Sequence, residues 1–446
     1  MRRAALYVLL AGQAVVILGF WAWNHVQHPL GSLLTGELAG QLLAYGRLAG
    51  LLAAFGVLLQ LVLAGRIGWV EHVFGLDRLL RFHRIAGFSL VLLLIAHPVL
   101  LAFGHAMQAD VGVREQYIDF LREWRGVAAA AAGLALMLAA VGLSVAIVRR
   151  RLRYEVWHAT HLTFYVAIAL AFGHQLAVGS DFTDNRWFAG YWVALYAFTF
   201  GNLAVYRLVR PLLLFARHRF TVERVASETG EATSVYIGGR AMERFKAEGG
   251  QFVLVRFLAP GFRWESHPFS ISQPPDGVRI RLTIRHLGDF TRRIPQLQPG
   301  TRVIVDGPHG VFTARRCRAP KALLIAGGIG ITPLRAMADG LLAAGRDVVL
   351  LYANRSREGI VFREELERLA AVAGGRLRVV HILSLDPDWP GETGQLDGRR
   401  IARLVPDAAE REAFLCGPPP MMKALRAALV KLGAPRARIH YERFSM

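Results

Sequence analysis

Four histidines carry the most specific chemistry in the sequence. His83 and His97 lie fourteen residues apart in the apolar stretch "RFHRIAGFSLVLLLIAHPVL"; His161 and His174 lie thirteen apart in "HATHLTFYVAIALAFGHQL". Imidazole is a poor lipid-facing group but a good axial ligand for the iron of a porphyrin, which is open on both faces. Fourteen helical residues separate two ligands by about 21 Å and turn them by only about 40°. That spacing suits two haems stacked across a hydrocarbon core about 30 Å thick. Two helices running the same way would pair His83 with His161 and His97 with His174, one bis-histidine site per leaflet. The second helix fits less well, because thirteen residues turn an ideal helix by about 140°. Gly173, just before His174, is expected to allow a local distortion. One histidine between membrane helices commonly serves only as a hydrogen-bonding group; four at matched depths fit ligation better. His158 is open between a spare ligand and a propionate partner. His25, His28, His72 and His105 lie at span ends or in loops and read as ordinary polar residues.

These positions require membrane spans, and apolar segments of spanning length fall near 5–24, 42–64, 82–103, 127–148, 158–178 and 188–209. No small-residue cleavage pattern follows the first, so it is expected to be a retained helix. Arginines sort to one side: Arg2 and Arg3, then Arg66, Arg78, Arg81 and Arg84, then Arg149, Arg150, Arg151 and Arg153, then Arg207, Arg210, Arg217 and Arg219. That bias places both termini and the rest of the chain in the cytoplasm of a cell whose plasma (inner) membrane holds the spans.

The 446 residues are 54% hydrophobic, which is too apolar for an ordinary soluble enzyme. The apolarity ends near residue 215, and a soluble α/β half follows. The net charge of +20 lies at span ends and across the soluble half, with no basic tail, so nucleic acid is not an expected partner. Two cysteines, Cys317 and Cys416, exclude a disulfide framework and a four-cysteine metal site. No CxxCH occurs, which excludes covalent haem attachment.

The soluble half divides again. Residues 216–316 read as a small β-barrel and 317–446 as alternating strands and helices, after a membrane domain over 1–215. In the barrel, "HPFSIS" (His267 to Ser272) suits a strand whose Ser270 and Ser272 face a planar ligand. "RHLGDFT" (Arg285 to Thr291) sets a cation, a glycine and a threonine before an expected helix start, a place that favours phosphate. Each cluster alone reads equally as ordinary strand and turn. In "KALLIAGGIGITPLRAM", Gly327, Gly328 and Gly330 permit close approach of a pyrophosphate at a helix N-terminus, although the spacing is not GxGxxG. The next strand ends without an acid for a ribose diol and offers Arg355 and Arg357, which favours a 2′-phosphate, hence NADPH over NADH, against a merely solvated arginine pair.

Together these features resemble the ferric reductase/NADPH oxidase superfamily along nearly the whole chain. "HPFSIS" is similar to its flavin motif; "GGIGITP" and "CGPPPMM" are similar to its nicotinamide-dinucleotide motifs. The resemblance implies a six-helix transmembrane bundle, an FAD-binding β-barrel and an α/β nucleotide-binding domain, with FAD, two b-type haems and NADPH (or NADH) as cofactors. It implies that His267, Pro268, Phe269 and Ser270 contact the flavin, and that Arg285, Gly288 and Thr291 hold its pyrophosphate. Gly328, Gly330, Thr332 and Pro333 would cradle the NADPH phosphates, and Gly417 and Pro418 would also bind the cofactor. Cys416 would lie near the nicotinamide, and Phe444 would stack on the isoalloxazine ring. The chain has no EF-hand calcium loop or long extension and looks like a constitutive bacterial member without an obligate regulatory subunit.

The expected route runs from NADPH to FAD, then to the inner haem on His83 and His161, the outer haem on His97 and His174, and an external acceptor. Two axial imidazoles leave no open iron position, so reduction outside would be outer-sphere, giving superoxide from O2 or Fe(II) from a ferric chelate. A membrane subunit that donates electrons to a periplasmic partner is the alternative of a different class.

Overall fold

The computed structural model describes residues 2–27, 37–147, 154–178 and 180–443. His28, Arg149, Arg150, Arg151, Arg153 and Phe444, together with the side chain of His25, lie outside the described residues. The chain forms two compact units: Met1–Gly65 with Leu79–Leu203, and Arg66–Arg78 with Ala204–Met446. The expected boundary at 215 falls inside a helix, Arg210–His218, of the second unit.

The first unit holds apolar helices, and among the described residues six helices are long and apolar enough to cross a membrane: Ala4–Asn24, Leu38–Ala64, Leu76–Ala109, Val127–Val145, Val156–Val178 and Arg186–His218. They are called spans one to six below. A membrane helix must satisfy its own backbone groups, and each of these runs long enough to do so. Span three carries Pro98 directly after His97 without ending there. A cluster around Trp192, Phe188, Leu58 and Ala167 packs spans two, five and six with span one.

The second unit contains two three-stranded sheets and one six-stranded sheet. β1 (Thr221–Thr229), β2 (Ala232–Gly238) and β5 (Arg279–Arg285) form one antiparallel layer, and β3 (Phe252–Phe257), β4 (His267–Ser270) and β6 (Val303–His309) form the other. Their inward residues, among them Val235, Ile237, Val253, Val255, Ile271 and Leu282, make one apolar core. The six-stranded sheet is parallel throughout, in the order β10-β9-β8-β7-β11-β12. Here β7 is Lys321–Gly327, β8 Asp347–Asn354, β9 Leu377–Leu383, β10 Glu392–Thr393, β11 Glu412–Cys416 and β12 Ile439–Glu442. Runs such as "ALLIAG" are buried on both faces, as a covered parallel sheet demands. The order reverses between β7 and β11, and in such sheets ligands bind at the carboxyl ends beside that reversal.

Barrel and parallel-sheet domain are joined by a buried charge cluster. Arg281 of β5 donates two hydrogen bonds to Glu365, at 2.7 and 3.1 Å, and Arg335 Nε approaches the same carboxylate at 2.7 Å. Burial pushes the Glu365 carboxyl up, but the two arginines outweigh it and hold it below the usual range.

Residues 66–78, which are the connection between spans two and three with the first residues of span three, belong to the second unit. A short helix there, Gly68–Phe74, buries Glu71, and Arg66 pairs with Asp306 of β6 at 2.7 Å. Sequence periodicity gives no sign of this, because the segment reads as a membrane loop.

Candidate functional site

The four histidines lie in two cross-helix pairs. The ring centroids of His83 and His161 lie 6.1 Å apart, and those of His97 and His174 lie 6.3 Å apart. Two imidazoles each binding a shared metal through nitrogen at about 2 Å bring their centroids to about 6 Å. The expected distortion at Gly173 is absent: the helix Tyr154–Val178 runs unbroken through it. Both pairs therefore form with a regular backbone in span five.

Span two orients the two histidines of span three, a contribution that histidine spacing did not reveal. The main-chain carbonyl of Gly46 accepts from His97 Nδ1 at 2.8 Å, and that of Gln60 accepts from His83 Nδ1 at 3.3 Å. Gly46 and Gln60 are themselves fourteen residues apart. An imidazole that donates from Nδ1 keeps Nε2 as a free base, the form a metal needs. On span five, His161 Nδ1 lies 3.5 Å from Ser144 Oγ, and His174 Nδ1 is buried without a hydrogen-bond partner among the described residues. Ring separation and tautomer both fit a pair of axial ligands.

Gly50 is part of this arrangement. A β-carbon there would lie 2.5 Å from His97 Nδ1 and 2.6 Å from its Cε1, so only glycine lets the ring lie against span two. Gly50→Ala is expected to displace His97 and weaken haem retention at the outer pair by about 10–100-fold, the usual effect of disturbing a ligand's orienting shell. Haem stoichiometry and the reduced-minus-oxidised spectrum check it; the inner pair should keep its signal.

In the second unit the two barrel motifs, weak apart, come together. His267 of β4 packs on Phe290 with centroids 4.0 Å apart, and Phe290 lies between Gly288 and Thr291. Phe269 lies 6.4 Å from the same ring. Pro268 pairs across the sheet with Leu254, and Ser270 is buried beside Phe252 at the strand's end. Ser272 does not face a ligand. Its hydroxyl is buried and shared with Thr283 Oγ1 at 2.7 Å and the Arg281 carbonyl at 3.1 Å, because Ile271 and Ser272 have already turned onto β5.

The expected helix after "RHLGDFT" is a single turn, Asp289–Arg292. Thr291 Oγ1 accepts from the amides of Leu287 and Gly288 at 2.9 and 3.0 Å, so the threonine builds the turn. Arg285 leaves β5 exposed, bonded to Glu231 at 2.6 Å, with Nη1 3.9 Å from where a β-carbon on Gly328 would stand. The flavin motif and the glycine turn thus share one edge of the unit.

At that edge Gly327 ends β7, Gly328 takes φ +53°, and Gly330 precedes the helix Ile331–Ala343. Thr332 caps the turn by donating to the Ile329 carbonyl at 3.0 Å, and Pro333 is buried within the first helical turn. A β-carbon on Gly330 would lie 2.2 Å from the Cys416 carbonyl oxygen; Gly417 and Pro418 lie against Gly327. The two nucleotide motifs therefore face each other across the reversal between β7 and β11. The Cys416 thiol is fully buried, and burial, reinforced by the charges of Glu442 and Asp77, pushes it well up, so it is held as a neutral thiol. The two arginines after β8 differ. Arg357 is clamped by Asp386 through bonds of 2.8 and 2.9 Å, whereas Arg355 is exposed and forms no ion pair among the described residues.

Comparison with known proteins agrees with this division. Residues 49–172 match the family described as ferric reductase like transmembrane component, 217–313 an FAD-binding domain, and 324–427 an oxidoreductase NAD-binding domain. The chain joins a ferric-reductase-like membrane domain to FAD- and NAD-binding reductase domains, an arrangement that matches the architecture of the ferric reductase/NADPH oxidase superfamily. Its reductase part is 34% identical over 213 residues to ferredoxin–NADP reductase B of Sorangium cellulosum, covering 45% of this chain and 86% of that protein. It is 33% identical over 233 residues to the ferredoxin reductase component of 3-ketosteroid-9-alpha-monooxygenase from Mycolicibacterium smegmatis, covering 50% of this chain and 64% of that protein. Among solved structures, the cytochrome P450 reductase GcoB of Amycolatopsis is similar, at 26% identity and a TM-score of 0.46 over 51% of this chain and 70% of that one. The chain thus spans less than two thirds of the length of several curated relatives it matches, and the likeness lies in the reductase half.

Proposed function

We propose that the protein moves electrons from cytoplasmic NADPH across the inner membrane to an acceptor on the outer face, with O2 giving superoxide. The observation that carries this reading is the pairing of His83 with His161 and His97 with His174 inside a bundle of spanning helices, on the same chain as an NAD(P)H reductase. When bound, FAD supplies the change from hydride to single-electron chemistry, and the two haems supply single-electron carriers. The chain's own part is placement. His267, Pro268, Phe269 and Ser270 form a wall with one hydroxyl for the flavin, and Arg285, on exchanging Glu231 for phosphate, would hold its pyrophosphate with the Gly288–Thr291 turn. Gly328, Gly330, Thr332 and Pro333 leave an open backbone turn for the NADPH phosphates. Cys416 closes the floor below it, and Phe444 would stack on the isoalloxazine ring. Span two fixes the imidazoles by its carbonyls.

Arg355, which forms no ion pair among the described residues, is the readier cation for a 2′-phosphate than Arg357, which Asp386 binds. Arg355→Ala is expected to raise KM for NADPH about tenfold, the worth of one charge-assisted hydrogen bond, and to leave KM for NADH unchanged. Steady-state kinetics with both nucleotides checks it. The acceptor is tested by NADPH-dependent cytochrome c reduction with and without superoxide dismutase. Inhibition by dismutase is the expected result; insensitivity to it, with brisk reduction of a ferric chelate, would replace O2 by the chelate.

A further inference from the structure

Four side chains from three separate segments meet in the second unit away from the nucleotide turn. Glu71, from the connector between spans two and three, is fully buried; one oxygen accepts from the Gly310 amide at 2.7 Å. Its other oxygen has no hydrogen-bond partner and lies 4.0 Å from Nδ1 of His309, at the end of β6, and 3.8 Å from Nδ1 of His72. His309 is 1% exposed, and its Nδ1 is also buried without a hydrogen bond. Glu442, at the end of β12, is buried, with one oxygen likewise unbonded and the other 3.7 Å from where a β-carbon on Gly310 would stand. His72 is 54% exposed and opens the cluster to solvent.

Buried carboxyls and imidazoles without partners are costly unless protons are shared among them. Nearby charges divide their effects. Burial first, then Asp77 and Glu71, push the Glu442 carboxyl well up, with Arg316 opposing. Asp306 accepts from His309 Nε2 at 3.1 Å; burial pushes its carboxyl up, but His309, Arg66 and Arg210 outweigh that and keep it ionised. Asp306 at one ring nitrogen of His309 and the unbonded Glu71 oxygen near the other place a carboxyl group on both sides of the imidazole, an arrangement suited to proton exchange through the ring. Glu442 adjoins Cys416 on the neighbouring parallel strand, so the inner end of the cluster lies at the carboxyl edge of the sheet where the nucleotide motifs converge.

Electron export leaves a proton to be disposed of. In NAD(P)H + 2A → NAD(P)+ + H+ + 2A−, with A a one-electron acceptor, the nicotinamide C–H bond breaks. Both its electrons leave with the acceptor, and its hydrogen stays on the cytoplasmic side as H+. We propose that Glu442, Glu71, His309 and His72 form the route by which that proton reaches solvent, so that a residue of the membrane connector serves the reductase chemistry. This rests on the reading that electrons leave across the membrane.

The test uses the full chain in detergent. Glu71→Gln keeps an acceptor for the Gly310 amide but cannot carry a proton. Flavin bleaching by NAD(P)H and haem absorbance are measured first; their absence would sink the functional reading and not this one alone. With both intact, Glu71→Gln is expected to slow steady electron export at least ~10-fold, the low end for a lost proton-transfer group. KM for NAD(P)H should stay unchanged, Glu71→Asp should restore part of the rate, and the redox-induced infrared spectrum should lose or shift a protonated-carboxyl signal. His72→Gln, an exposed change that leaves the core untouched, should slow export and be rescued by added imidazole. It decides the matter alone if Glu71→Gln fails to fold. Wild-type rate, pH profile and carboxyl signal in the folded variants would overturn the proposal.

Discussion

His97→Ala is expected to remove one of two b-type haems per chain and to abolish reduction of an external acceptor, while NADPH still bleaches the flavin. The outer pair has its centroids 6.3 Å apart, and His97 is fixed by the Gly46 carbonyl at 2.8 Å, so its loss leaves His174 alone. The inner pair, fourteen residues away along span three, keeps its own carbonyl partner at Gln60. Reduced-minus-oxidised absorbance should therefore fall to about half, as one of two bis-histidine centres is lost. Full haem content in the variant would show that His97 is not a ligand. Loss of both haems together with a lowered Tm would point to a folding role.

Gly330→Ala is expected to disable the nucleotide turn of the reductase half. The new β-carbon would lie 2.2 Å from the Cys416 carbonyl oxygen, which is backbone and cannot swing aside. The turn after β7 must shift by about 1 Å, which typically costs about 100-fold in rate when it misplaces a reacting group. The overpacking itself costs about 1–3 kcal/mol of stability. NAD(P)H-driven flavin reduction, followed by rapid mixing, should fall by that factor while FAD content and haem spectra persist. An unchanged rate would mean that the turn does not cradle the nucleotide.

Much of this was legible from residue type and period. Apolar runs gave six spans, and fourteen-residue spacing gave two histidine levels, because helix rise is regular. The doubly buried strands and "GGIGITP" marked the parallel sheet and its ligand edge. What escaped had no local signature. Gly46, Gly50 and Gln60 act through main-chain atoms or the lack of a side chain, and nothing in their spacing to apolar neighbours distinguishes them from other span-two residues. The angular mismatch in span five pointed to a distortion at Gly173, yet the helix is regular there. Ser272 alternates correctly for a ligand-facing strand, but β4 ends at Ser270 and the next residues turn onto β5. Arg357 and Arg355 look alike in sequence; only the fold brings Asp386, twenty-nine residues on, to claim one of them. The connector 66–78 reads as a loop between spans, and its membership of the reductase unit depends on long-range pairs such as Arg66 with Asp306.

The central claim is that electrons cross the membrane within this one chain. The most direct measurement places the purified protein in sealed vesicles with the reductase unit outward, adds NADPH outside, and traps a membrane-impermeant one-electron acceptor within. Reduction of the trapped acceptor, lost in His97→Ala, is the expected result. Reduction only of acceptor supplied on the same side as NADPH, with the trapped pool untouched, would contradict it.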